Sequence, residues 1–569
     1  SPSPSPASAL AADLLAALLL LLLAAALRFF RLHHPARIVL DEVHTGAHVF
    51  HHIASPERSL FFDPHPPLGK LVLALPARLL APPAAAGGGG PGVVAGFRFD
   101  ALQKFIPAGH PAMAVRRVAA GCGAMAAPVV YGVGRGMGMS CAGAATAGVM
   151  VAVDVVGVIV ARLMYVDTFM VLCMVVALAA AVGAWNLKAR MARTTTLAGP
   201  EDFGTKVEPL DGVEETGDSS NGADAGSAGD GAENAGGATV GGASGSSPSS
   251  GAEVARLWLC ILTSGIFSGA AICTKWTAFF TPLFIAIVSA LGTPPFLSAA
   301  SAFSAPELFG FLAAVAATYF GGCAAFLLAV PNSGPGDAFF SREFLAAVRG
   351  SAHDGDPEVV PLGLFWRVVE LNRAMWGFMR GVKGKHQWGS NWYQWAVNWR
   401  GLLFFRDEVF DFSEMGKSGN VLPTKKTATI YMIMNPFSTI ATLFFVATFL
   451  LSAILYLRYR RYIRPDLKPA IISQLALEFS MLLGCALSAL PTIAMFRTSP
   501  VDQALPVLTF AALLCGATVD ALPGRLRGAV VAVVMAGAAG AFAYWSPWVY
   551  ATAMAEGEHA ARRWMPRWD

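Results

Sequence analysis

Leu40-Asp41-Glu42-Val43-His44-Thr45-Gly46 sets two adjacent carboxylates just beyond the first long apolar run, and Phe61-Phe62-Asp63-Pro64-His65-Pro66-Pro67-Leu68-Gly69-Lys70 follows closely. A carboxylate within hydrogen-bond reach of a hydroxyl can take its proton as the oxygen attacks another atom. Ionisable groups held near lipid are costly and mark function by default. The bland alternative is an acidic loop bathed in water. Eight of the eleven histidines lie between residues 31 and 111. His44, His48, His51 and His52 include i, i+4 pairs that would share a helix face, and with Asp41 or Glu42 they could hold zinc or manganese. No HExxH pattern accompanies them, so proton-transfer chemistry is the preferred reading and no metal is assigned.

The elements that must position these residues cross a membrane. The 569-residue chain is 55% hydrophobic and 14% charged, with mean hydropathy +0.54. Soluble domains carry about 25% charged residues. This composition excludes a disordered chain, a collagen-like chain and an ordinary soluble enzyme. Apolar runs near the roughly 20 residues needed to cross a hydrocarbon core are expected at 9–30, 112–134, 142–161, 167–187, 257–274, 277–292, 308–330, 432–457, 470–494, 500–520 and 528–549. The first run lacks a positively charged flank before it and reads as a retained span, not a signal peptide. Basic clusters follow the fourth, eighth and tenth spans (Lys188, Arg190, Arg193; Arg458, Arg460, Arg461, Arg464, Lys468; Arg525, Arg527). These mark the cytosolic side, against which Arg28 and Arg31 after the first span are a conflict.

Five regions result. Residues 1–197 form a transmembrane module with a lumenal loop at 31–111. Residues 198–253 hold eleven acids against one Lys in Gly/Ser/Ala-rich sequence, which reads as a disordered cytosolic loop. Residues 254–330 carry spans five to seven. Residues 331–431 form a lumenal loop in which six of the thirteen Trp lie between Trp366 and Trp399; this is either a helix on the membrane surface or a platform for a substrate. Residues 432–569 carry the last four spans. The eight cysteines lie in or beside apolar segments without CxxC spacing, so neither a disulfide framework nor a zinc knuckle is expected. No basic stripe points to nucleic acid.

The motifs resemble those of the protein O-mannosyltransferases. Asp41-Glu42-Val43-His44 and Phe62-Asp63-x-His65-Pro66-Pro67-Leu68-Gly69-Lys70 are similar to that family's first lumenal loop. Arg116, Gly123, Pro128 and Tyr131 match its second-helix spacing, and Arg162-Leu163-x3-Asp167 and Lys275-Trp276-Thr277 match later segments. Ser333-Gly334-Pro335-Gly336-Asp337, then His386, Ser390, Trp392, Trp395 and Arg400, then Asn435-Pro436, continue the resemblance in order. Two departures stand out. The loop at 331–431 is too short for the MIR repeats most eukaryotic members carry there. The family's R-x2-F-L-H-H-Y-L-P reads Arg497-Thr498-Ser499-Pro500-Val501-Asp502-Gln503-Ala504-Leu505-Pro506, without the histidines and tyrosine.

The resemblance implies an all-α, multi-span GT-C-type fold in the endoplasmic reticulum membrane with its active site facing the lumen. It implies mannose transfer from dolichyl-phosphate mannose to Ser/Thr hydroxyls of secretory polypeptides, with no cofactor and a homo- or heterodimer with a family member. Asp41 would be the catalytic base, and Glu42 would hold the acceptor or orient Asp41. His44, Asp63, His65, Pro66 and Lys70 would shape the loop or the acceptor site, and Asp337, His386, Trp392 and Trp395 would line the second loop. The leaving phosphate needs positive charge, and the planar fork of Arg suits it; Arg116, Arg162, Arg400 and Arg497 are the candidates. Arg162 could instead pair with Asp167, Arg400 could snorkel, and His65 beside Pro66-Pro67 could only shape the loop. Three rival readings remain. A related polyprenyl-phosphate-sugar transferase would show the same acid pair. A transporter would need internal repeats, and none is visible. A weakly active partner subunit would account for the altered 498–505 segment.

Overall fold

The computed structural model describes residues 5–40, 42–49, 58–80, 112–197, 251–292, 302–381, 387–411, 424–494 and 499–568. The first half holds α1 (Pro6–Phe29), α2 (Glu42–Val49), α3 (Leu68–Leu80), α4 (Ala112–Gly136), α5 (Cys141–Ala152), α6 (Val155–Arg162), α7 (Asp167–Leu197), α8 (Gly251–Ile272) and α9 (Phe280–Leu291). The second half holds α10 (Ala305–Ala329), α11 (Arg342–Leu345), α12 (Leu364–Gly381), α13 (Trp392–Trp395), α14 (Pro436–Tyr459), α15 (Lys468–Ala494), α16 (Leu505–Asp520), α17 (Gly524–Val549) and α18 (Glu556–Arg562).

Among the described residues nine helices are long and apolar enough to cross a membrane: α1, α4, α7, α8, α10, α14, α15, α16 with its preceding turn, and α17. The expected span at 142–161 is the pair α5 and α6, bent by 50°. The bend has a local cause. The Asp154 carboxylate accepts from Gly157 N at 2.7 Å and caps α6, so the chain restarts a helix there. The expected span at 277–292 is a short turn followed by α9.

The bundle is organised by exposure. α7 and α16 are largely buried, whereas α1 and α14 present Leu14, Leu18, Leu22, Phe444, Leu451 and Leu455 outward. Only an apolar surround tolerates such rows of exposed side chains. Small residues permit the close crossings: a Cβ on Gly143 of α5 would lie 2.8 Å from the Gly516 carbonyl of α16. Buried polar groups pin the joints. Asn435 donates to the Val153 carbonyl at 3.2 Å and to Ala538 at 2.9 Å, fixing the start of α14 against the α5–α6 bend and α17. Arg28 is buried and donates to the Ala24, Val151 and Ala152 carbonyls. It is therefore an internal tie, which removes it from the flank charges that conflicted with the orientation rule.

A small sheet joins the helices. β1 (Leu402–Asp411), β2 (Thr424–Met432) and β3 (Ala553–Met554) pair antiparallel in the order β1-β2-β3. β1 reaches the first loop through Arg37–Asp407 at 3.0 Å. The mostly helical architecture agrees with expectation; the hairpin within 331–431 was not anticipated.

The first loop docks on the bundle where α3 begins. Leu68 N donates to the Cys273 carbonyl at 2.9 Å, and Gly69 lies so close that a Cβ there would sit 2.4 Å from Thr274 Cγ2. Gly69→Ala is expected to destabilise the protein by about 1–3 kcal/mol through overpacking. Adding Thr274→Ser, which removes that methyl, should recover most of the loss in thermal unfolding of the detergent-solubilised protein; a double variant no more stable than Gly69→Ala would contradict this packing.

Candidate functional site

Glu42, the first residue of α2, is fully buried and both its oxygens are occupied. Oε1 accepts from Arg116 Nε at 2.8 Å and Met164 N at 2.9 Å; Oε2 accepts from Arg116 Nη2 at 2.6 Å and Val39 N at 2.9 Å. The fork of Arg116 completes its own coordination on the Pro35 carbonyl at 3.0 Å and the Arg37 carbonyl at 2.7 Å. Four of its five N–H groups are thereby used at zero exposure. The expectation that Arg116 contacts a phosphate is corrected: it has a carboxylate partner and no open face. The option that Glu42 holds the acceptor falls with it, leaving Glu42 a positioning residue for the segment it starts.

Arg162 is corrected for the same reason. Its guanidinium donates to the carbonyls of Arg28, Phe30, Arg31 and His34 and stacks 4.6 Å over the Tyr550 ring. It shapes the turn after α1 and does not pair with Asp167. Arg400 is half-buried and lies 5.7 Å over the Trp388 ring. Asp41, His386 and Arg497 lie outside the described residues, as do His51 and His52. His44 is exposed.

His48, Asp63 and Lys70 converge, a grouping the sequence reading did not make. His48 Nε2 lies 2.7 Å from Asp63 Oδ2, Lys70 pairs with the other oxygen, and His65 N donates to that same oxygen at 2.6 Å. The Phe61 ring packs edge-on against His48. Burial opposes ionisation of Asp63, but Lys70 and His48 overcome it and hold the carboxyl well below its ordinary value. Burial lowers the Lys70 ammonium and pushes the His65 imidazole down to about 4. His65 is therefore a neutral ring at any physiological pH and supplies no charge to an anion.

Asp337 folds its own turn, accepting from Ser333 Oγ at 2.6 Å and Gly334 N at 3.0 Å. That turn lies against the first loop: Gly336 N donates to the Leu60 carbonyl at 3.0 Å, and Phe339 stacks on Phe62 at 4.0 Å. The Trp-rich segment is tied on from the other side. Trp395 Nε1 donates to Ser390 Oγ at 2.9 Å, and Ser390 exchanges backbone bonds with Ser499. Trp392 is exposed.

A cavity of about 850 Å³ lies between the first loop, the turn before α9, α10, α12, the end of α15 and the segment before α16. Its polar lining includes His65, Lys275, Thr277, Tyr319, Thr492, Ser499 and Gln503, and Trp276 and Trp376, with ring centroids 5.9 Å apart, belong to its aromatic wall. Lys275 Nζ lies 2.7 Å from Asp167 and 3.4 Å from Asp502. Sequence reading quoted Lys275 and Asp167 as motif residues and Asp502 as a departure without assigning them to the site. The available signal was a lone Lys between two apolar helices, which is too costly to be incidental.

A helical bundle crossing the membrane, with an acid-bearing loop closed over a cavity at one end, is the GT-C class of architecture. It superposes on the Saccharomyces cerevisiae protein O-mannosyltransferase Pmt1-Pmt2 complex bound to the sugar donor, with TM-score 0.73 at 14% identity, covering 98% of this chain and 92% of that one. Residues 18–198 match the family model described as dolichyl-phosphate-mannose-protein mannosyltransferase, and 364–568 match the C-terminal four-span region of protein O-mannosyltransferase. The chain belongs to the protein O-mannosyltransferase family. It is 29% identical over 149 residues to dolichyl-phosphate-mannose--protein mannosyltransferase 4 of Saccharomyces cerevisiae and 30% over 146 residues to its Candida albicans counterpart. Each match spans 26% of this chain and 18% of the relative's length.

Two outcomes test the site's electrostatics. Arg116→Ala leaves Glu42 buried without its charge partner and should cost about 3–5 kcal/mol; Arg116→Lys should recover little, since an ammonium cannot reproduce the fork. Thermal unfolding checks both, and a stable Arg116→Ala protein would contradict the lock. For Asp63 the folded pKa is depressed, so its stabilisation is complete above the ordinary carboxylate range and is lost only as pH falls through it. Asp63→Asn should therefore lower the melting temperature equally at about pH 7.5 and about pH 5.5; a penalty that vanished at the lower pH would show that the carboxyl titrates in between.

Proposed function

We propose that this protein transfers mannose from dolichyl-phosphate mannose to Ser or Thr hydroxyls of polypeptides. Family membership supports the reaction, and the observation that carries it is the cavity, which Pro64 and His65 of the first loop line together with Lys275 and many apolar and aromatic side chains. An amphiphilic donor needs such a site: an anionic, sugar-bearing head beside protein polar groups and an isoprenoid tail among apolar side chains. The loops at 31–111 and 331–431 then face the endoplasmic reticulum lumen, and the acidic 198–253 segment faces the cytosol.

The reaction is a single displacement. The acceptor oxygen attacks the anomeric carbon, the bond from that carbon to the phosphate oxygen breaks, and the β-linked mannose becomes α-linked. Asp41 takes the hydroxyl proton, and dolichyl phosphate leaves as an anion that needs positive charge but no proton. Glu42 and Arg116 act at one remove by fixing the start of α2, immediately after Asp41. Pairing with another family member, as in the yeast complex, would add a second such site.

The test is incubation of membranes carrying the protein with dolichyl-phosphate mannose and a Ser/Thr peptide. The wild-type protein should mannosylate the peptide, and Asp41→Asn, which keeps the shape and loses the base, should reduce the rate by roughly 10²–10⁴-fold. Near-wild-type transfer by a well-expressed Asp41→Asn protein would contradict the mechanism.

A further inference from the structure

Two of the chain's eight thiols meet inside the bundle. Cys273 follows the last residue of α8, and Cys323 lies toward the end of α10. Their side chains hydrogen-bond to each other, and neither has any exposure. Other buried thiols find different partners: Cys485 donates to the Val507 carbonyl at 3.6 Å, and Cys515 meets Thr442 Oγ1 at 3.5 Å. The backbone sets the meeting. A Cβ on Gly265 of α8 would lie 2.6 Å from the Phe311 carbonyl oxygen of α10, and one on Gly269 would lie 2.5 Å from that of Val315. The close crossing persists to the end of α8, where a Cβ on Gly322 would lie 2.6 Å from Cys273 Sγ and 3.7 Å from its Cβ. A disulfide needs its two Cβ atoms about 3.5–4.5 Å apart. A crossing this close at the residue beside Cys323, with the two thiols already in contact, is the approach such a bond requires.

We propose that Cys273 and Cys323 are a disulfide site, which ties the end of α8 to α10 and fixes the surface on which the first loop docks. This rests on the lumenal orientation proposed above, since the endoplasmic reticulum lumen is oxidising and the cytosol is not. The position gives the bond its use. The Cys273 carbonyl holds Leu68 N, and Thr274 packs on Gly69, so the first loop lands on the residues the bond anchors. Cys273 and Cys323 also share one apolar cluster with Leu60 of the first loop and with Phe344 and Val348 of the second. On the side toward the large cavity, Cys273 Sγ donates to the Tyr319 carbonyl at 3.5 Å, and Trp276 Nε1 donates to the Tyr319 hydroxyl at 2.9 Å. That hydroxyl donates in turn to Asn372 of α12, whose side chain reaches Cys323. The bond therefore backs the Trp276 and Tyr319 wall of the cavity.

The chemistry is thiol–disulfide exchange. One cysteine thiolate attacks an incoming disulfide, either glutathione disulfide or the active-site disulfide of a lumenal oxidoreductase, forming a mixed disulfide and releasing one thiol. The second cysteine displaces the other thiol. The Sγ–Sγ bond forms, both S–H protons leave, and the two electrons end on the reagent, which departs as two thiols. Buried thiols are inert to such reagents. The bond accordingly closes during folding, before α10 covers Cys273, and a reductant reaches it only when the helices part.

Peptide mass spectrometry on the full-length protein from endoplasmic reticulum membranes tests this. The protein is denatured in N-ethylmaleimide to block free thiols, then reduced, and the newly freed cysteines are labelled with iodoacetamide. Cys273 and Cys323 should carry the second label, and the other six cysteines the first. Without reduction, the two peptides should appear as one species lighter than their sum by two hydrogens. Cys323→Ala should move Cys273 to the first label. Both cysteines taking the first label in the wild-type protein would overturn the proposal, as would a Cys273 that keeps the second label in Cys323→Ala. An Asn-Gly-Thr glycosylation sequon inserted after Gly355, at an exposed turn of the second loop, separates this from the orientation it rests on. A glycosylated sequon with free thiols contradicts the disulfide alone, and an unglycosylated sequon with free thiols contradicts both. A linked pair with an unglycosylated sequon upholds the disulfide and contradicts the lumenal orientation.

Discussion

The structure around the site depends on one buried ion pair. Glu42 and Arg116 are both fully excluded from solvent, and each is saturated by the other and by backbone groups from 35–39 and from Met164. Two buried charges of this kind are tolerated when they pair and most of their remaining polar groups find partners, as here both carboxylate oxygens and four of the five guanidinium N–H groups do. The pair thus sets the path of the chain before α2 and the start of α2 against α4 and the end of α6. A general base must lie within hydrogen-bond reach of its proton to act, and the proposed base immediately precedes this anchored helix in the sequence.

From that lock a series of contacts runs to the cavity. α2 carries His48 onto Asp63; Asp63 holds Lys70 and the His65 amide; His65 lines the cavity beside Lys275. The charges are sorted along the way. Asp63 neutralises Lys70, His65 stays uncharged, and Asp167 and Asp502 fix Lys275. Among the described residues, Lys275 is thus the charged side chain that lines a largely apolar and aromatic cavity. The turn folded by Asp337 packs on the first loop, and the Ser390–Ser499 bridge ties the Trp-rich segment to Ser499, which lines the cavity.

Much of this was legible in the sequence, for identifiable reasons. Apolar length alone located the spans, because a hydrocarbon core admits little else. The segment carrying Asp63, His65 and Lys70 stood out because polar residues clustered in a chain this apolar are costly, and the three lie together in the fold. Their individual roles were less accessible. Arg116 looked like a phosphate ligand because a sequence shows a charge and not its partner; the partner is 74 residues away. Lys275 was quoted as a motif residue without a role, since neither Asp167 nor Asp502 is near it in sequence. The β1–β2 hairpin was hidden inside a loop read for its tryptophans, with alternation interrupted by the irregularity between Leu403 and Phe405. Arg28 was read as a flank charge because burial against Val151 and Ala152 is a tertiary fact.

The most direct test of the Glu42–Arg116 lock is amide hydrogen exchange on the intact protein and on Glu42→Gln, followed peptide by peptide. Local opening should appear where the lock is lost before it appears elsewhere. The account predicts that exchange in residues 39–49 quickens by roughly tenfold or more while α4 and α7 keep their wild-type protection. Unchanged exchange in residues 39–49, or a uniform rise across the whole chain, would contradict the claim that this pair holds the start of α2 in place.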